Sequence, residues 1–137
     1  MEARMRKFEI EIVTPEGLAF SGEAESIILR TDTGDVQIMA GHTDYIAALD
    51  TGKITLKVDG TDRFASASGG FVSVKGGKVK VVVTSLEFAD QIDGERAENA
   101  RSRAEERLRN AKTDAEIEIA KAKLKRAITR INVSKLK

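Results

Sequence analysis

The spacing of apolar residues changes near Ser85, and this change constrains the fold more than any other feature of the sequence. Before it, apolar and polar residues alternate in clear runs around Ile10, Leu56 and Val81. Strict alternation is typical of a β-strand with one face on a core and the other in water. After Ser85, apolar residues recur every three or four positions, as in an amphipathic helix. The chain is therefore expected to form a β domain followed by a helical domain.

Turn sequences divide the first part into short strands. The only proline and every glycine except Gly94 lie in this part. The predicted turns are Pro15-Glu16-Gly17, Thr33-Gly34-Asp35, Asp59-Gly60, Gly69-Gly70 and Gly76-Gly77. Several short strands at this spacing favour an antiparallel β-sandwich, or flattened barrel, over residues 1–89.

Two helices are predicted in residues 90–137, because the helical spacing occurs in two separate runs. The runs are Ala97, Ala100, Ala104 and Leu108, and then Ile117, Ala120, Leu124, Ala127, Ile128 and Ile131. The segment 110–112 is the predicted turn between them, and Thr113 with Glu116 has the form of a capping box. Because a short turn joins antiparallel helices, the predicted fold class is α+β: a β-sandwich followed by an α-helical hairpin.

The seam of this hairpin is predicted to be weak, because the first helix contributes mainly alanine. A buried methyl stabilises by on the order of 0.8 kcal/mol, and a leucine side chain by roughly two to three times as much. Helices with good intrinsic propensity and a weak seam can exchange a closed hairpin for an extended arm. A permanently packed hairpin is the other interpretation, and composition leaves both open.

Charge is distributed unevenly along the chain, although 23 Lys and Arg nearly balance 22 Asp and Glu. Residues 1–90 hold 10 basic and 14 acidic side chains, whereas residues 91–137 hold 13 and 8. The basic arm is therefore expected to bind an acidic protein surface or a phosphate. Nucleic acid is not expected, because no aromatic side chain lies in the arm to stack on bases.

Several other chemistries are not expected either. The chain has no cysteine and one histidine, which argues against a disulfide framework and against the commoner metal sites. It carries no Gly-x-x-x-x-Gly-Lys-Ser/Thr phosphate loop. It shows neither an apolar run long enough to span a membrane nor the pattern of a signal peptide. Neither catalytic residues nor a bound metal are predicted.

Arginines form one edge of the predicted hairpin. On a helical wheel, Arg96, Arg103 and Arg107 lie to one side of the first seam. Arg130, with Arg126 behind it, lies on the same side of the second. Since like-sided edges meet in an antiparallel pair, closure gathers guanidinium groups, whose forked donors suit phosphate. A solvated basic face is the other interpretation of the same pattern.

Five fragments, in order along nearly the whole chain, resemble the epsilon-subunit family of the rotary F-type ATP synthases. They are Val13-Thr14-Pro15-Glu16-Gly17, Gly34–His42, Ser68-Gly69-Gly70-Phe71-Val72, Ile92-Asp93-Gly94-Glu95-Arg96-Ala97 and Lys125–Val133. Each fragment alone is a weak signal, whereas five in sequence are specific.

The resemblance implies a non-catalytic subunit of the central stalk. Its sandwich would dock on the gamma subunit and the membrane c-ring, and would help couple proton or sodium flow to rotation. Its hairpin would fold against the sandwich or extend along gamma towards the catalytic alpha and beta subunits, where it inhibits ATP hydrolysis. The subunit would lie at the cytoplasmic face of a bacterial cell membrane, attached only through the complex.

The resemblance also implies a regulatory ATP site, because bacterial members that bind ATP carry the same Ile/Leu-Asp-x-x-Arg-Ala motif. The nucleotide would hold the arm down and leave unhydrolysed. By position, the binding residues would be Glu87, Asp93, Arg96, Ala97, Arg103, Arg126 and Arg130. Asp35 would contact the c-ring and His42 would contact gamma. Between them, Gln37 and Ala40 stand where the family usually has glycine and proline.

Two other functions stay open from the sequence. A standalone β module could use the basic arm to bind another acidic protein or nucleic acid, and it would be a stable monomer with no affinity for gamma. A small ATP-hydrolysing enzyme would turn over ATP as the purified chain.

Overall fold

The computed structural model describes residues 6–136 and confirms the predicted fold class, a β-sandwich followed by an α-helical hairpin. The strands are β1 (Phe8–Thr14), β2 (Gly17–Ala24), β3 (Ser26–Thr31), β4 (Gly34–Met39), β5 (Tyr45–Leu49), β6 (Gly52–Val58), β7 (Thr61–Lys75) and β8 (Lys78–Phe88). The helices are α1 (Gly94–Asn110) and α2 (Asp114–Ser134). A single 3-10 turn, Ala89–Gln91, connects the two parts.

The strands form two layers that share β7. The hydrogen-bonded order is β2-β1-β8-β7-β5-β3-β4, and β6 pairs with both β3 and β7. The first half of β7 pairs with β6 and its second half with β5, so this strand passes from one layer into the other. Among residues 6–136 the strand pairs are antiparallel, as predicted, except that β1 and β8 run parallel. Alternation of apolar residues carries no information about strand direction, which is why the sequence did not reveal this pair.

Gly70 lies where β7 passes between the layers. The turn predicted at Gly69-Gly70 is wrong, because β7 continues through both glycines. The backbone φ of Gly70 is +154°, and a Cβ placed on it would lie 1.8 Å from the carbonyl oxygen of Val82. Gly70 therefore permits a close approach of two backbones, and the glycine pair does not reverse the chain.

Apolar residues that face inward, at every second position of the strands, form the core of the sandwich. Its fully buried members include Ile10, Ile12, Ile27, Leu29, Ile38, Leu56, Val72, Val81 and Val83. They form one hydrophobic cluster whose buried residues all lie between Phe8 and Phe88. The sandwich thus has a core of its own, separate from the contacts of the arm.

Both helices begin at side chains that cap them. The Asp93 carboxylate accepts a hydrogen bond from the Arg96 amide at 3.1 Å, and the Thr113 hydroxyl accepts one from the Glu116 amide at 3.1 Å. The Glu116 carboxylate in turn accepts from the Lys112 amide at 2.9 Å. The predicted capping box at Thr113 is therefore present in a shifted form. The Glu116 carboxylate bonds the amide of Lys112, one residue before Thr113, and not the amide of Thr113 itself.

The hairpin is folded against the sandwich. Helix α2 lies between α1 and the body, where it packs against β7, β6 and the 3-10 turn. The structure therefore shows the arm in the closed arrangement.

Candidate functional site

Four alanines form most of the buried seam between α1 and α2. Ala97 and Ala104 on α1, and Ala120 and Ala127 on α2, are each at most 2% exposed. Each pair is separated by seven residues, close to two helical turns, which keeps both alanines on nearly the same stripe of their helix. Because a methyl group is all that each contributes, the helices approach closely but bury little apolar surface. The alanine-rich seam predicted for the first helix is confirmed.

A small hydrophobic cluster fastens the base of the arm to the sandwich. It consists of Ala89, Ile92, Ala97, Ile131 and Val133, with the partly buried Phe64 of β7 against it. The cluster contains residues from the connection, from both helices and from the body. Opening the arm must therefore disrupt this cluster as well as the contacts of α2 with the strands.

Two ion pairs join α2 to the body. The Arg130 Nε lies 2.7 Å from the Glu87 Oε1, and the two side chains are 18% and 38% exposed. The Lys125 Nζ lies 2.5 Å from the Asp50 Oδ2, with both side chains about half exposed. Asp50 also accepts a hydrogen bond from the Thr51 amide at 2.8 Å.

The Asp50 carboxylate is stabilised in its charged form. The hydrogen bond from Lys125 lowers the pKa of Asp50 below its ordinary value of 3.8, more than burial raises it. The pair therefore stabilises the closed arm above the ordinary pKa. This stabilisation is lost as the pH falls through the lowered pKa of the folded chain.

The seven residues predicted to bind nucleotide lie on the arm and at its junction with the sandwich. Asp93 caps α1 and Ala97 is buried in the seam, whereas Arg96, Arg103 and Arg126 are exposed. Glu87 and Arg130 are brought together, and they bind each other. A nucleotide that used Arg130 would have to share it with Glu87 or displace that carboxylate.

A groove runs between the helices near their turn. Its volume is about 570 Å³ and it is lined by Arg103, Glu106, Arg107, Asn110, Glu116, Ile119 and Ala120. The arginine side of α1 thus faces Glu116 and Ile119 of α2 across the groove, whereas Arg126 and Arg130, which the helical wheel places on the meeting edge, do not line it. Of the seven residues predicted to bind nucleotide, only Arg103 lines this groove. Within the described residues, the predicted site is therefore divided between the groove and the base of the arm.

Asp35 and His42 lie near opposite ends of β4: Asp35 is its second residue, and His42 lies in the connection from β4 to β5. The Asp35 carboxylate accepts hydrogen bonds from the Arg30 Nε at 2.6 Å and Nη2 at 3.5 Å. The Nδ1 of His42 lies 2.7 Å from the Thr43 carbonyl oxygen, and its ring stands edge-on to Tyr45 at 5.5 Å. Both side chains reach the surface, and their proposed contacts with partners stay predictions.

An apolar row that the sequence analysis missed crosses the outer face of one layer. The strand register aligns Leu18 with Val13, Val13 with Val82, Val82 with Phe71, and Phe71 with Ala48. Leu18 is 60% exposed and Phe71 41%. The row combines residues of β1 and β2 with residues of β5, β7 and β8, so only the register reveals it. We call these five residues the apolar row.

A shallow depression lies beside the apolar row. Its volume is about 250 Å³, and it is lined by Thr14, Pro15, Gly69, Gly70, Val82, Val83 and Thr84. The missing side chains of the two glycines create this depression, into which a side chain of another protein could insert. Contiguous exposed apolar residues such as these are typical of a protein-binding face.

Comparisons with known proteins agree with the fold. The family model described as "ATP synthase, Delta/Epsilon chain, beta-sandwich domain" matches residues 7–89. The model described as "ATP synthase, Delta/Epsilon chain, long alpha-helix domain" matches residues 90–135. No helix of residues 6–136 is long and apolar enough to cross a membrane.

Relatives named "ATP synthase epsilon chain" align over almost the full length. The chain is 38% identical to that of Bacillus cytotoxicus and 37% identical to that of Ruminococcus albus, covering 97% of this chain and all of each relative.

Two solved assemblies contain chains of the same fold. A chain of the Euglena gracilis mitochondrial ATP synthase OSCP/F1/c-ring structure has a TM-score of 0.81 at 18% identity, over all of this chain and 86% of that one. A chain of the Tetrahymena thermophila mitochondrial ATP synthase central stalk and c-ring structure has a TM-score of 0.70 at 15% identity. The match covers 96% of this chain and 99% of that one. With both domains and the full length matched, the chain belongs to the epsilon-chain family of the ATP synthases.

Proposed function

We propose that this chain is a non-catalytic subunit of the central stalk of a rotary F-type ATP synthase. The sandwich docks on the gamma subunit and the c-ring and helps to couple ion flow to rotation, and the arm inhibits ATP hydrolysis when it extends towards the alpha and beta subunits. The subunit lies at the cytoplasmic face of a bacterial membrane through the complex alone. The full-length relationship to bacterial epsilon chains supports the role, and the related assemblies contain F1, the central stalk and the c-ring.

The apolar row is the surface best suited to docking on gamma. It crosses five strands of a layer with its own core, so a partner bound there would contact a preformed and stiff face. The depression at Gly69 and Gly70 offers a place for one partner side chain. Buried aromatic anchors often carry much of the binding energy of an interface, and Phe71 is the aromatic residue of the row.

Replacing Phe71 with glutamate is expected to weaken binding to purified gamma by roughly 30-fold or more, because a charge would be buried without a partner. Titration calorimetry of the full chain into gamma measures the effect. Met39→Glu is the matched control, because Met39 is 43% exposed, close to the 41% of Phe71, but lies on β4 outside the row. Equal affinities for both variants and the unsubstituted chain would remove the apolar row from the gamma interface.

The regulatory part of the proposal is carried by one observation, the weak attachment of the closed arm. An alanine seam, a small cluster and two partly exposed ion pairs hold the arm down. Exposed ion pairs contribute at most about 1 kcal/mol each, so a ligand specific for the closed form needs only moderate affinity to control the arm.

ATP is the proposed ligand of the closed form, and it acts as an effector. The groove offers the guanidinium groups of Arg103 and Arg107, and arginine forks suit the phosphate oxygens. Asp93, Arg96 and Ala97 would complete the site at the start of α1, with Glu87, Arg126 and Arg130 approaching from α2 and β8. Since bound ATP would stabilise the closed arrangement, high ATP would favour the uninhibited enzyme.

Substituting Arg103→Ala together with Arg126→Ala is expected to weaken ATP binding to the full chain by roughly 10- to 100-fold or more, since each side chain supplies charged hydrogen bonds to phosphate. Calorimetric titration with ATP measures this loss. Arg109→Ala serves as the control, because Arg109 is exposed on α1 but lies on a different face from the arginine edge.

The outcomes of this titration separate the open alternatives. If the unsubstituted chain fails to bind up to millimolar ATP, the nucleotide site is wrong and the arginines act only on acidic protein surfaces. Turnover of ATP by the purified chain would instead favour an enzyme. Binding equally strong in the double variant would place the nucleotide elsewhere.

A further inference from the structure

Four charged residues of alternating sign follow one another from the β3–β4 hairpin to the arm. Asp35 binds Arg30 at 2.6 Å, and Lys125 of α2 binds Asp50 at 2.5 Å. The two pairs are adjacent, because the Asp50 amide donates a hydrogen bond to the Arg30 carbonyl oxygen at 2.9 Å. Arg30 therefore stands between two carboxylates, and in this structure its guanidinium group binds only one of them.

The aliphatic stem of the Arg30 side chain is held in place, whereas its guanidinium head is exposed. A Cβ added to Gly52 would lie 2.6 Å from the Arg30 Cβ and 2.9 Å from its Cγ, so the aliphatic part of the side chain packs directly over this glycine. The side chain as a whole is half exposed. A guanidinium group on a fixed stem with a solvated head can exchange partners at little cost.

We propose that Asp50 and Lys125 form an electrostatic catch for the closed arm, and that Asp35 keeps the catch engaged by holding Arg30 away from Asp50. When Asp35 binds something else or loses its charge, Arg30 turns to Asp50, competes with Lys125 and loosens α2. The catch and its control by Arg30 and Asp35 are independent of the nucleotide site, because none of these four residues belongs to that site. It rests on the proposed function only in requiring that the arm can open.

The position of the catch explains why a weak interaction can matter. It holds the middle of α2, whereas the hydrophobic cluster of Ile92, Ile131 and Val133 holds the base of the arm. A partner protein that binds the β3–β4 hairpin and presents a cationic side chain to Asp35 would release Arg30. Contact at one end of the sandwich would thereby favour opening of the arm.

The test measures the open fraction of the full chain by single-molecule energy transfer. The sequence contains no cysteine, so Thr61→Cys on β7 and Ala122→Cys on α2 provide two unique and exposed labelling sites. Asp50→Asn and Lys125→Gln are each expected to raise the ratio of open to closed chains by roughly two- to fivefold, the range of an exposed ion pair. Combining them should add nothing further, and the charge swap Asp50→Lys with Lys125→Asp should restore closure.

The role of Arg30 is tested by a second set of variants. Asp35→Asn is expected to open the arm by a similar factor although Asp35 does not touch it, and adding Arg30→Gln should return the ratio to that of the unsubstituted chain. Asp59→Asn is the matched control, because it breaks the exposed Lys7–Asp59 pair of 3.1 Å, which involves no arm residue. An unchanged ratio in Asp35→Asn, or an increase that persists in the double variant, would overturn the proposal.

A positive control separates this proposal from the proposed function. Ala104→Leu crowds the seam and should open the arm whether or not the catch exists. If Ala104→Leu opens the arm and Asp50→Asn does not, the catch is wrong and the mobile arm stands. If neither opens it, the mobile arm itself is wrong.

Discussion

Replacing Gly70 with alanine is expected to destabilise the sandwich by about 3–5 kcal/mol, a large part of the 5–15 kcal/mol typical of a folded domain. The added Cβ would lie 1.8 Å from the Val82 carbonyl oxygen and 2.8 Å from its carbon, so β7 and β8 must separate. Backbone strain at a φ of +154° adds to the overpacking. Thermal and denaturant unfolding measure the loss, which should lower the Tm by roughly 10–20 °C.

Gly76→Ala is the control for this substitution. Gly76 also has a positive φ, +57°, but a Cβ there would meet no atom within 4 Å. Its substitution should therefore cost only about 1 kcal/mol, the conformational term alone. Similar losses at both positions would mean that backbone conformation, and not the approach of β7 to β8, makes Gly70 necessary.

Ala104→Leu is expected to open the helical hairpin while leaving the sandwich intact. Ala104 is 2% exposed in a seam with room only for methyl groups, and extra methylenes in such a site cost about 1–3 kcal/mol. This shifts the ratio of closed to open arms by roughly 5- to 150-fold and lowers the apparent affinity for ATP by up to the same factor. Hydrogen exchange measures the effect, because the amides of α1 should lose protection while those of β7 and β8 keep theirs.

Ala122→Leu adds the same side chain to an exposed position of α2. It should leave the protection of α1 unchanged, since nothing there has to move aside. If Ala104→Leu also leaves α1 fully protected, the seam does not determine whether the arm stays closed. The weak attachment would then lie elsewhere, at the base cluster or the ion pairs.

The features that the sequence revealed are those that depend on local spacing. The alternation around Ile10 and Val81 predicted strands, and the spacing of Ala97, Ala104 and Ala120 predicted both helices and their alanine seam. The wheel positions of Arg103 and Arg107 correctly placed them on the edge that faces α2. In each case, residues a few positions apart determine the result, so no knowledge of the tertiary fold is needed.

The features that the sequence did not reveal depend on register between distant strands. The apolar row can be recognised only when Val13 is known to pair with Val82. The catch can be recognised only when Asp50 is known to contact Lys125. The pair Gly69-Gly70 predicts a turn because glycine pairs usually mark one, whereas here Gly70 allows two backbones to approach. The nucleotide residues came from the family resemblance, and the structure adds that Arg130 already has Glu87 as a partner.

The parallel pairing of β1 with β8 also determines the order in which the chain can fold. Ile10 pairs with Val79, so the first strand cannot complete its ladder until the last strand of the sandwich has been synthesised. Pairing of strands so distant in sequence requires closing a long loop, which slows folding and keeps apolar strand edges exposed meanwhile. The helices follow β8 in the sequence and so emerge from the ribosome last. A newly made chain should therefore complete its rigid body first and add its regulatory arm last.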